Sequence, residues 1–198
     1  MNALLGLSRA IDAVTTRMGK WIAWAVLLAV IVSAVNAVIR KAFDMSSNSW
    51  LELQWVLFGL VFLMCAPWTL RDNEHIRIDI VNSMFPKRVR DWIDVIGHAF
   101  FLLPLTIVMI LTSVPFALRS YGINEQSMNA GGLPQWPAKA LVLVGFVALF
   151  FQGISELIKR IAVMQGRIPD PYVTTGGAHA AAEAEAARLL AELKQESR

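Results

Sequence analysis

Two pairs of histidine and aspartate residues are the side chains whose types and spacing could support metal chemistry. His75 and Asp79 lie four positions apart, and so do Asp94 and His98. On a helix this spacing places both members of a pair on one face, and imidazole and carboxylate groups are common zinc ligands. Neither pair supplies three ligands, and the chain has no HExxH or CxxC motif. A metal-dependent enzyme is therefore kept only as the alternative function.

Arginines close to these pairs suggest a simpler role for them. Arg71 and Arg77 lie on the same polar segment as the first pair. Carboxylates near the membrane surface commonly pair with cations, because an unpaired charge is costly where water is scarce. We expect both His/Asp pairs to form a network of salt bridges and hydrogen bonds with Arg71 and Arg77 at the inner membrane interface.

Three further polar residues lie at the ends of apolar stretches. Glu52 and Gln54 come at the start of the second stretch, and Lys139 comes at the start of the fourth. Glu52 has two interpretations that the sequence leaves open. It could meet the positive end of its helix dipole, or it could make a polar contact with another membrane subunit. The long side chain of Lys139 can carry its ammonium group toward water.

Four long apolar stretches must position these residues. The chain has 198 residues, 56% of them hydrophobic, and the stretches cover residues 21–39, 50–70, 93–118 and 137–158. A bilayer core of roughly 30 Å needs about 20 helical residues to cross it, so each stretch can span a membrane. In the central segments of the stretches, residues 25–32, 56–64, 99–111 and 140–151, the only polar side chain is that of Thr106. The sequence therefore predicts an all-α integral membrane protein with four transmembrane helices, which does not handle a solute by itself.

Basic residues are distributed unequally between the two sides of these spans. One side holds four: Arg40, Lys41, Arg119 and Lys139. The other side, up to residue 167, holds eleven: Arg9, Arg17, Lys20, Arg71, Arg77, Lys87, Arg88, Arg90, Lys159, Arg160 and Arg167. The positive-inside rule puts the richer side, and with it both termini, in the cytoplasm. Because the basic residues cluster at span ends, we do not expect nucleic-acid binding.

The remaining segments give three predicted regions. Residues 1–20 carry Leu4, Leu7, Ile11 and Val14 at helical spacing, which predicts a short interfacial helix on the cytoplasmic side. Residues 21–163 form the four-helix transmembrane domain, with a second short interfacial helix expected between spans two and three. Residues 164–198 form a cytoplasmic tail, either helical or disordered, after the chain-breaking Pro169.

Three polar segments in a fixed order carry a resemblance to a known family. They are Glu52-Leu53-Gln54, then Arg71-Asp72-Asn73-Glu74-His75-Ile76-Arg77-Ile78-Asp79, then Ser127-Met128-Asn129-Ala130-Gly131-Gly132-Leu133-Pro134-Gln135-Trp136-Pro137-Ala138-Lys139. With the span count and orientation, the chain resembles the small membrane subunit of tripartite ATP-independent periplasmic (TRAP) transporters over about residues 20–163.

The resemblance implies a subunit and not a carrier. It implies a periplasmic binding protein that delivers an organic acid or similar solute, and a large membrane subunit that holds the solute and sodium sites. The small subunit would brace the static scaffold of the large one in the bacterial inner membrane, in contact with lipid and with no cofactor of its own. The expected subunit interface comprises Glu52, Gln54, Arg71, His75, Arg77, Asp79, Asp94, Gly132, Pro134, Trp136 and Lys139.

Two other functions were weighed against this one. The first is a four-helix membrane enzyme with a His/Asp metal site at its inner surface. The second is a small multidrug-type exporter acting as a homodimer, which needs an acidic residue deep in the membrane. No predicted span carries such an acid, so the exporter is disfavoured.

Overall fold

The computed structural model describes residues 2–45, 47–72 and 85–169. The described chain is helical, with α1 at Asn2–Ala23, α2 at Ala25–Phe43, α3 at Asn48–Arg71, α4 at Lys87–Ile96, α5 at Leu103–Gly122 and α6 at Trp136–Met164. A π-helical segment, Gly97–Leu102, joins α4 to α5 without a break. The predicted C-terminal tail from residue 170 onward and the polar segment 73–84 lie outside the described residues.

Four helical runs are long and apolar enough to cross a membrane. They are Ala3–Phe43, Asn48–Arg71, Arg88–Gly122 and Trp136–Met164. Each contains one of the predicted spans, so the all-α fold with four transmembrane helices is confirmed. The third of these runs begins with α4, directly after Pro86. Proline lacks a backbone N–H and is tolerated at a helix start.

The first helix turns its polar side, and not its apolar side, toward the rest of the protein. Ser8 and Thr15 are buried, whereas Leu4, Leu7 and Val14 are about half exposed or more. α1 packs against both α3 and α6. This is the reverse of a water-soluble helix, and it suits a helix whose outer face meets lipid.

Glycines allow α1 and α6 to approach their neighbours closely. A Cβ on Gly19 would lie 2.7 Å from Cε3 of Trp68, and a Cβ on Gly145 would lie 2.8 Å from Cβ of Leu63. Small residues at such contacts are typical of membrane helices, which gain stability from close packing because lipid is as apolar as a leucine side chain. α6 contacts α1, α3, α4, the π-helical segment and α5, so it is the central helix of the bundle.

Apolar side chains cover the outside of the bundle, while polar side chains lie inside it. Phe62 and Phe100 are 78% and 73% exposed, and Thr106 and Gln152 are fully buried. Soluble proteins rarely expose apolar patches this extensive. The fold therefore presents an apolar surface to its surroundings and reserves its polar groups for contacts between its own helices.

Candidate functional site

The loop between α5 and α6, residues 123–135, folds back on itself. Gln126 and Pro134 form an isolated antiparallel bridge, and the Ser127 amide donates to the carbonyl oxygen of Leu133 at 3.2 Å. These bonds satisfy backbone groups that would otherwise be left unpaired close to a membrane. The loop is therefore an ordered hairpin-like unit.

A tight turn at Asn129–Gly132 forms the tip of this loop, as the glycine pair predicts. The Gly132 amide donates to the Asn129 carbonyl oxygen at 3.0 Å, and Gly131 has φ of +70°. Glycine adopts a positive φ without the steric cost that a side chain brings. The Asn48 side chain donates to the Ala130 carbonyl oxygen at 3.0 Å, which joins the turn to the start of α3.

The carboxylate of Glu52 holds the loop from inside. Glu52 is only 5% exposed. Its Oε1 accepts hydrogen bonds from the Ser127 hydroxyl and from Asn129 Nδ2 at 2.8 Å, and its Oε2 accepts one from the Leu133 amide at 2.6 Å. We call Glu52, Ser127, Asn129 and Leu133 the Glu52 cluster. The sequence analysis considered a dipole contact and a partner contact for Glu52, and it missed this contact within the chain.

Gly132 is required by the closeness of this packing. A Cβ at Gly132 would lie 2.5 Å from Cβ of Ser127 and 2.7 Å from Oε1 of Glu52. Contacts that short are forbidden, so any side chain at Gly132 must displace the Glu52 cluster. Glu52 and Gly132, both predicted site residues, thus lie side by side.

Lys139, Trp136 and Pro134 lie in or beside the same loop. The Lys139 ammonium pairs with the carboxylate of Glu125 and lies 4.3 Å from the ring centroid of Phe116. The hydrogen bond from Lys139 lowers the pKa of the Glu125 carboxyl. Trp136 makes an edge contact with the Tyr121 ring, with 5.4 Å between the centroids.

Gln54 stands apart from these contacts. It is half-buried one turn beyond the start of α3, and its side chain makes no hydrogen bond within the part of the chain that the structure describes. Its predicted place in the subunit interface stays a prediction.

A second polar cluster joins α1 to α6. Asp12 Oδ1 accepts from Gln152 Nε2 and from the Ser155 hydroxyl, both at 2.9 Å, and its Oδ2 accepts from Lys159 Nζ at 3.0 Å. Glu156 accepts from Gln152 Nε2 at 2.9 Å and from Lys159 Nζ at 2.6 Å. We call these five residues the Asp12 cluster. Gln152 therefore forms a hydrogen bond across helices, with Asp12 on α1 as its partner.

A third cluster joins α4 to α6. Arg160 Nη2 lies 2.6 Å from Asp94 Oδ2, and Arg160 Nη1 lies 3.4 Å from Asp91 Oδ1. We call these three residues the Arg160 cluster. The sequence analysis placed Asp94 in a network with Arg71 and Arg77, which stays a prediction, and it did not consider Arg160. The helix packing brings Arg160 against Asp94.

Arg71 has different partners. Its Nη1 donates to the Thr16 hydroxyl on α1, and the same atom lies 3.3 Å from Asp72 Oδ1. The other predicted members of this network, His75, Arg77 and Asp79, lie outside the described residues. Their roles in the network and at the interface stay predictions.

The groups proposed as metal ligands are used otherwise in the described part of the chain. His98 Nδ1 lies 2.6 Å from the backbone oxygen of Asp94, and the Asp94 carboxylate faces Arg160. No three His, Cys, Asp or Glu side chains converge within residues 2–45, 47–72 and 85–169. The Asp94 carboxylate is therefore engaged by a cation, which would compete with a metal for it, and His75 and Asp79 lie outside the described residues.

The sequence analysis missed Asp12, Asp91, Lys159 and Arg160 as functional residues. One signal was available, because Gln152, Ser155, Glu156 and Lys159 recur at spacings of three and four. That spacing places four polar residues on one face of α6, where a membrane helix needs a polar partner. The residue on the opposite helix, Asp12, could not be identified in the same way.

Chemically, these clusters connect helices and loops of one chain. The buried charged residues Glu52, Asp91, Glu156 and Arg160 all have partners within the protein. Removing one partner of a buried pair leaves the other without compensation, so such pairs keep the parts that they join together. The three clusters therefore hold helices and loops of the chain in place.

Comparison with known proteins finds a matching family model. A family model described as "Tripartite ATP-independent periplasmic transporters, DctQ component" matches residues 29–163. Searches of curated proteins and of solved structures find no match to the chain. The matched range includes Glu52, the loop 123–135 and the three α6 residues Gln152, Glu156 and Arg160. With more than half of its length matched and four membrane-spanning helices, the chain belongs to the DctQ family of TRAP transporter components.

Proposed function

We propose that this protein is the non-catalytic small permease subunit of a sodium-coupled TRAP-type secondary transporter. It braces the static scaffold of a large membrane subunit, which imports an organic acid or similar solute delivered by a periplasmic binding protein. The family match supports the general role of a transporter component. The division of labour between the subunits, the sodium coupling and the location in a bacterial inner membrane are parts of the proposal.

The observation that carries the proposal is the pairing of buried charge within the chain. Asp91 and Arg160 are 6% and 7% exposed and face each other, and Glu52 is fully engaged by one loop of the same protein. A solute pathway through a membrane needs polar groups that can exchange partners during the transport cycle. Groups fixed to one another in this way suit a rigid support.

The apolar exterior supports the same role. Phe62, Phe100 and Phe101 are each more than 70% exposed, and Leu111 is 67% exposed. Such side chains are suited to lipid or to an apolar subunit face, because neither offers a partner for polar groups. A support that packs beside a moving carrier needs no aqueous path of its own.

Reconstitution into liposomes tests the proposal directly. Three preparations would be compared under a sodium gradient: this chain alone, the large subunit alone, and both together, each with the loaded binding protein outside. We expect solute uptake only when both membrane subunits are present. Sodium-driven uptake by this chain alone, or full uptake by the large subunit alone, would refute the bracing role.

The predicted interface residues can be tested in the same preparations. The hydrogen bonds that Glu52 accepts all come from its own chain. It would therefore affect binding of a partner indirectly, by fixing the conformation of the loop 123–135. We expect Glu52→Ala and Arg77→Ala to weaken co-purification with the large subunit while solute capture by the binding protein is unchanged. Arg119→Ala is the matched control, since Arg119 is exposed. Unchanged co-purification in both variants would contradict the assigned interface.

A further inference from the structure

An open groove runs between α1 and the end of α3, beside the Asp12 cluster, whose Asp12 is among its lining residues. Its volume is about 970 Å³, and its lining includes the basic side chains of Arg9, Arg17, Lys20 and Arg71 together with the indole of Trp21. The four cations belong to the side of the spans that the positive-inside rule enriches, and here they gather around one groove. The proposed bracing function makes no use of this groove.

Among the described residues, Asp72 pairs with Arg71, but no acid pairs with the other three basic side chains of the groove. Arg9, Arg17 and Lys20 are exposed, and none of them forms an ion pair with the residues that the structure describes. The acid in the described lining, Asp12, already bonds to Lys159, which brings a further cation close to the groove. The site therefore attracts an anion.

Arg71 bounds the groove on the α3 side and is held against α1. Its Nη1 donates to the Thr16 hydroxyl and lies 3.3 Å from Asp72 Oδ1, and Thr16 in turn donates to the Asp12 carbonyl oxygen at 2.7 Å. The phosphate contacts therefore fall to Arg9 and Arg17, whose planar guanidinium groups each carry five N–H donors. Arginine groups bind phosphate oxygens well, because two parallel N–H bonds match two oxygens of the anion.

The position of the groove indicates a lipid as the ligand. Arg71 ends the membrane-spanning α3, and Trp21 and Trp24 lie at the junction of α1 with α2, 75% and 70% exposed. Tryptophans gather at the level of the lipid headgroups. The lining also contains Val14 and Met18, so the groove is cationic and apolar together. A free phosphate ion would use only the cations, whereas an amphiphile would use both.

We propose that this groove binds an anionic phospholipid by the phosphodiester of its headgroup. Arg9 and Arg17 donate to the phosphate oxygens, Lys20 adds charge, and Trp21 packs against the glycerol and upper acyl region. Bound in this way, the lipid lies along the groove beside α1 and the end of α3. The assignment is independent of the bracing role, since it depends on the groove alone.

Native mass spectrometry of the full chain released from detergent tests this site. Phosphatidylglycerol and phosphatidylcholine with the same acyl chains would be offered at equal concentrations, and inorganic phosphate would be added in a separate arm. We expect phosphatidylglycerol to be retained in preference to phosphatidylcholine, with no displacement by phosphate. Equal retention of the two lipids, or displacement by phosphate at millimolar concentration, would overturn the proposal.

Variants that remove charge test whether the lipid binds in this groove. The double variant Arg9→Gln/Arg17→Gln should retain roughly 25-fold less phosphatidylglycerol, because each basic side chain near an anionic lipid strengthens binding by about fivefold. Arg9→Lys/Arg17→Lys should restore most of the binding. The control Arg40→Gln/Lys41→Gln removes two exposed charges from the opposite end of α2 and should bind like the unaltered chain.

Two results would contradict the location. If Arg9→Gln/Arg17→Gln retains as much phosphatidylglycerol as the unaltered chain, these residues do not bind the lipid. If the Arg40→Gln/Lys41→Gln control loses as much binding as that variant, the lipid is held by general electrostatic attraction and not by this groove. If the double Gln variant does not fold, single Arg9→Gln gives the answer. Arg9 is exposed and forms no hydrogen bond or ion pair with the described residues, and this variant should lose about fivefold.

Discussion

The two ends of the bundle bury their acidic side chains in different ways. At the loop end, Glu52 accepts hydrogen bonds only from neutral donors, all of them in one loop. At the terminal end, where α1 meets the last turns of α6, the carboxylates of Asp12 and Asp94 each face a cation on α6. One end uses a carboxylate to organise a loop, and the other uses ion pairs to join helices.

This difference determines what is lost when a single residue is changed. Removing Glu52 leaves hydroxyl, amide and backbone donors without an acceptor, and these are neutral groups. Removing a cation such as Arg160 leaves buried charge behind. An uncompensated charge costs more than an unpaired donor, so the two ends should differ in their sensitivity to substitution.

The largest expected effect tests the terminal end. Arg160→Gln leaves Asp91 and Asp94 buried without their cation, and breaking a buried ion pair from one side costs about 3–5 kcal/mol. We expect a marked fall in the thermal unfolding temperature of the purified chain. Arg167→Gln removes the same charge from an exposed site and should leave that temperature unchanged. Similar unfolding of both variants would show that the Arg160 cluster does not stabilise the bundle.

The second effect tests the loop end. In Glu52→Gln one carboxylate oxygen becomes an NH₂ group that faces a donor, either the Leu133 amide or the Ser127 and Asn129 side chains. Leaving a buried donor unsatisfied costs about 1–3 kcal/mol. Amide hydrogen exchange in residues 125–135 should become faster, while exchange in α6 changes little. Gln54→Ala, two residues along the same helix, is the control, and equal exchange in both variants would contradict the role of Glu52.

A third substitution compares two glycines. Gly132→Ala forces a Cβ to within 2.7 Å of Glu52 Oε1, and overpacking of this kind costs about 1–3 kcal/mol. A Cβ at Gly59 meets nothing within 4 Å, so Gly59→Ala should stabilise α3 by up to about 1 kcal/mol. The two alanine variants of the isolated chain should thus shift the unfolding temperature in opposite directions. A shift in the same direction for both would show that the loop tolerates a side chain at Gly132.

The smallest effect concerns pH at the loop end. Because Lys139 lowers the pKa of Glu125 below its ordinary value of 4.5, the pair stabilises the fold fully above that value. The stabilisation is lost as pH falls through the lowered pKa, since Glu125 is then protonated. A double-mutant cycle of Glu125→Gln and Lys139→Gln should show coupling at pH 7 that decreases as pH falls through the lowered pKa of Glu125. Coupling that stays unchanged after Glu125 has been protonated would show that it does not come from this ion pair.

The sequence predicted one end of the bundle better than the other, for a physical reason. The four spans follow from apolar length alone, and most of the Glu52 cluster lies in the contiguous segment Ser127–Lys139. The Asp12 cluster joins residues 143 positions apart in the case of Asp12 and Ser155. Periodicity shows which face of α6 is polar, but it does not show which helix packs there. That choice depends on tertiary packing, which also brings Arg160 against Asp94.

The π-helical segment Gly97–Leu102 determines which way α4 faces. Its wider turns offset the rotation that a regular α-helix would accumulate between Asp94 and Thr106, so both residues can point at α6. Deleting one residue here would restore α-helical winding and swing Asp91 and Asp94 around the helix axis by about 100°. The length of this short segment thus determines how α4 is rotated relative to the rest of the third membrane-spanning run.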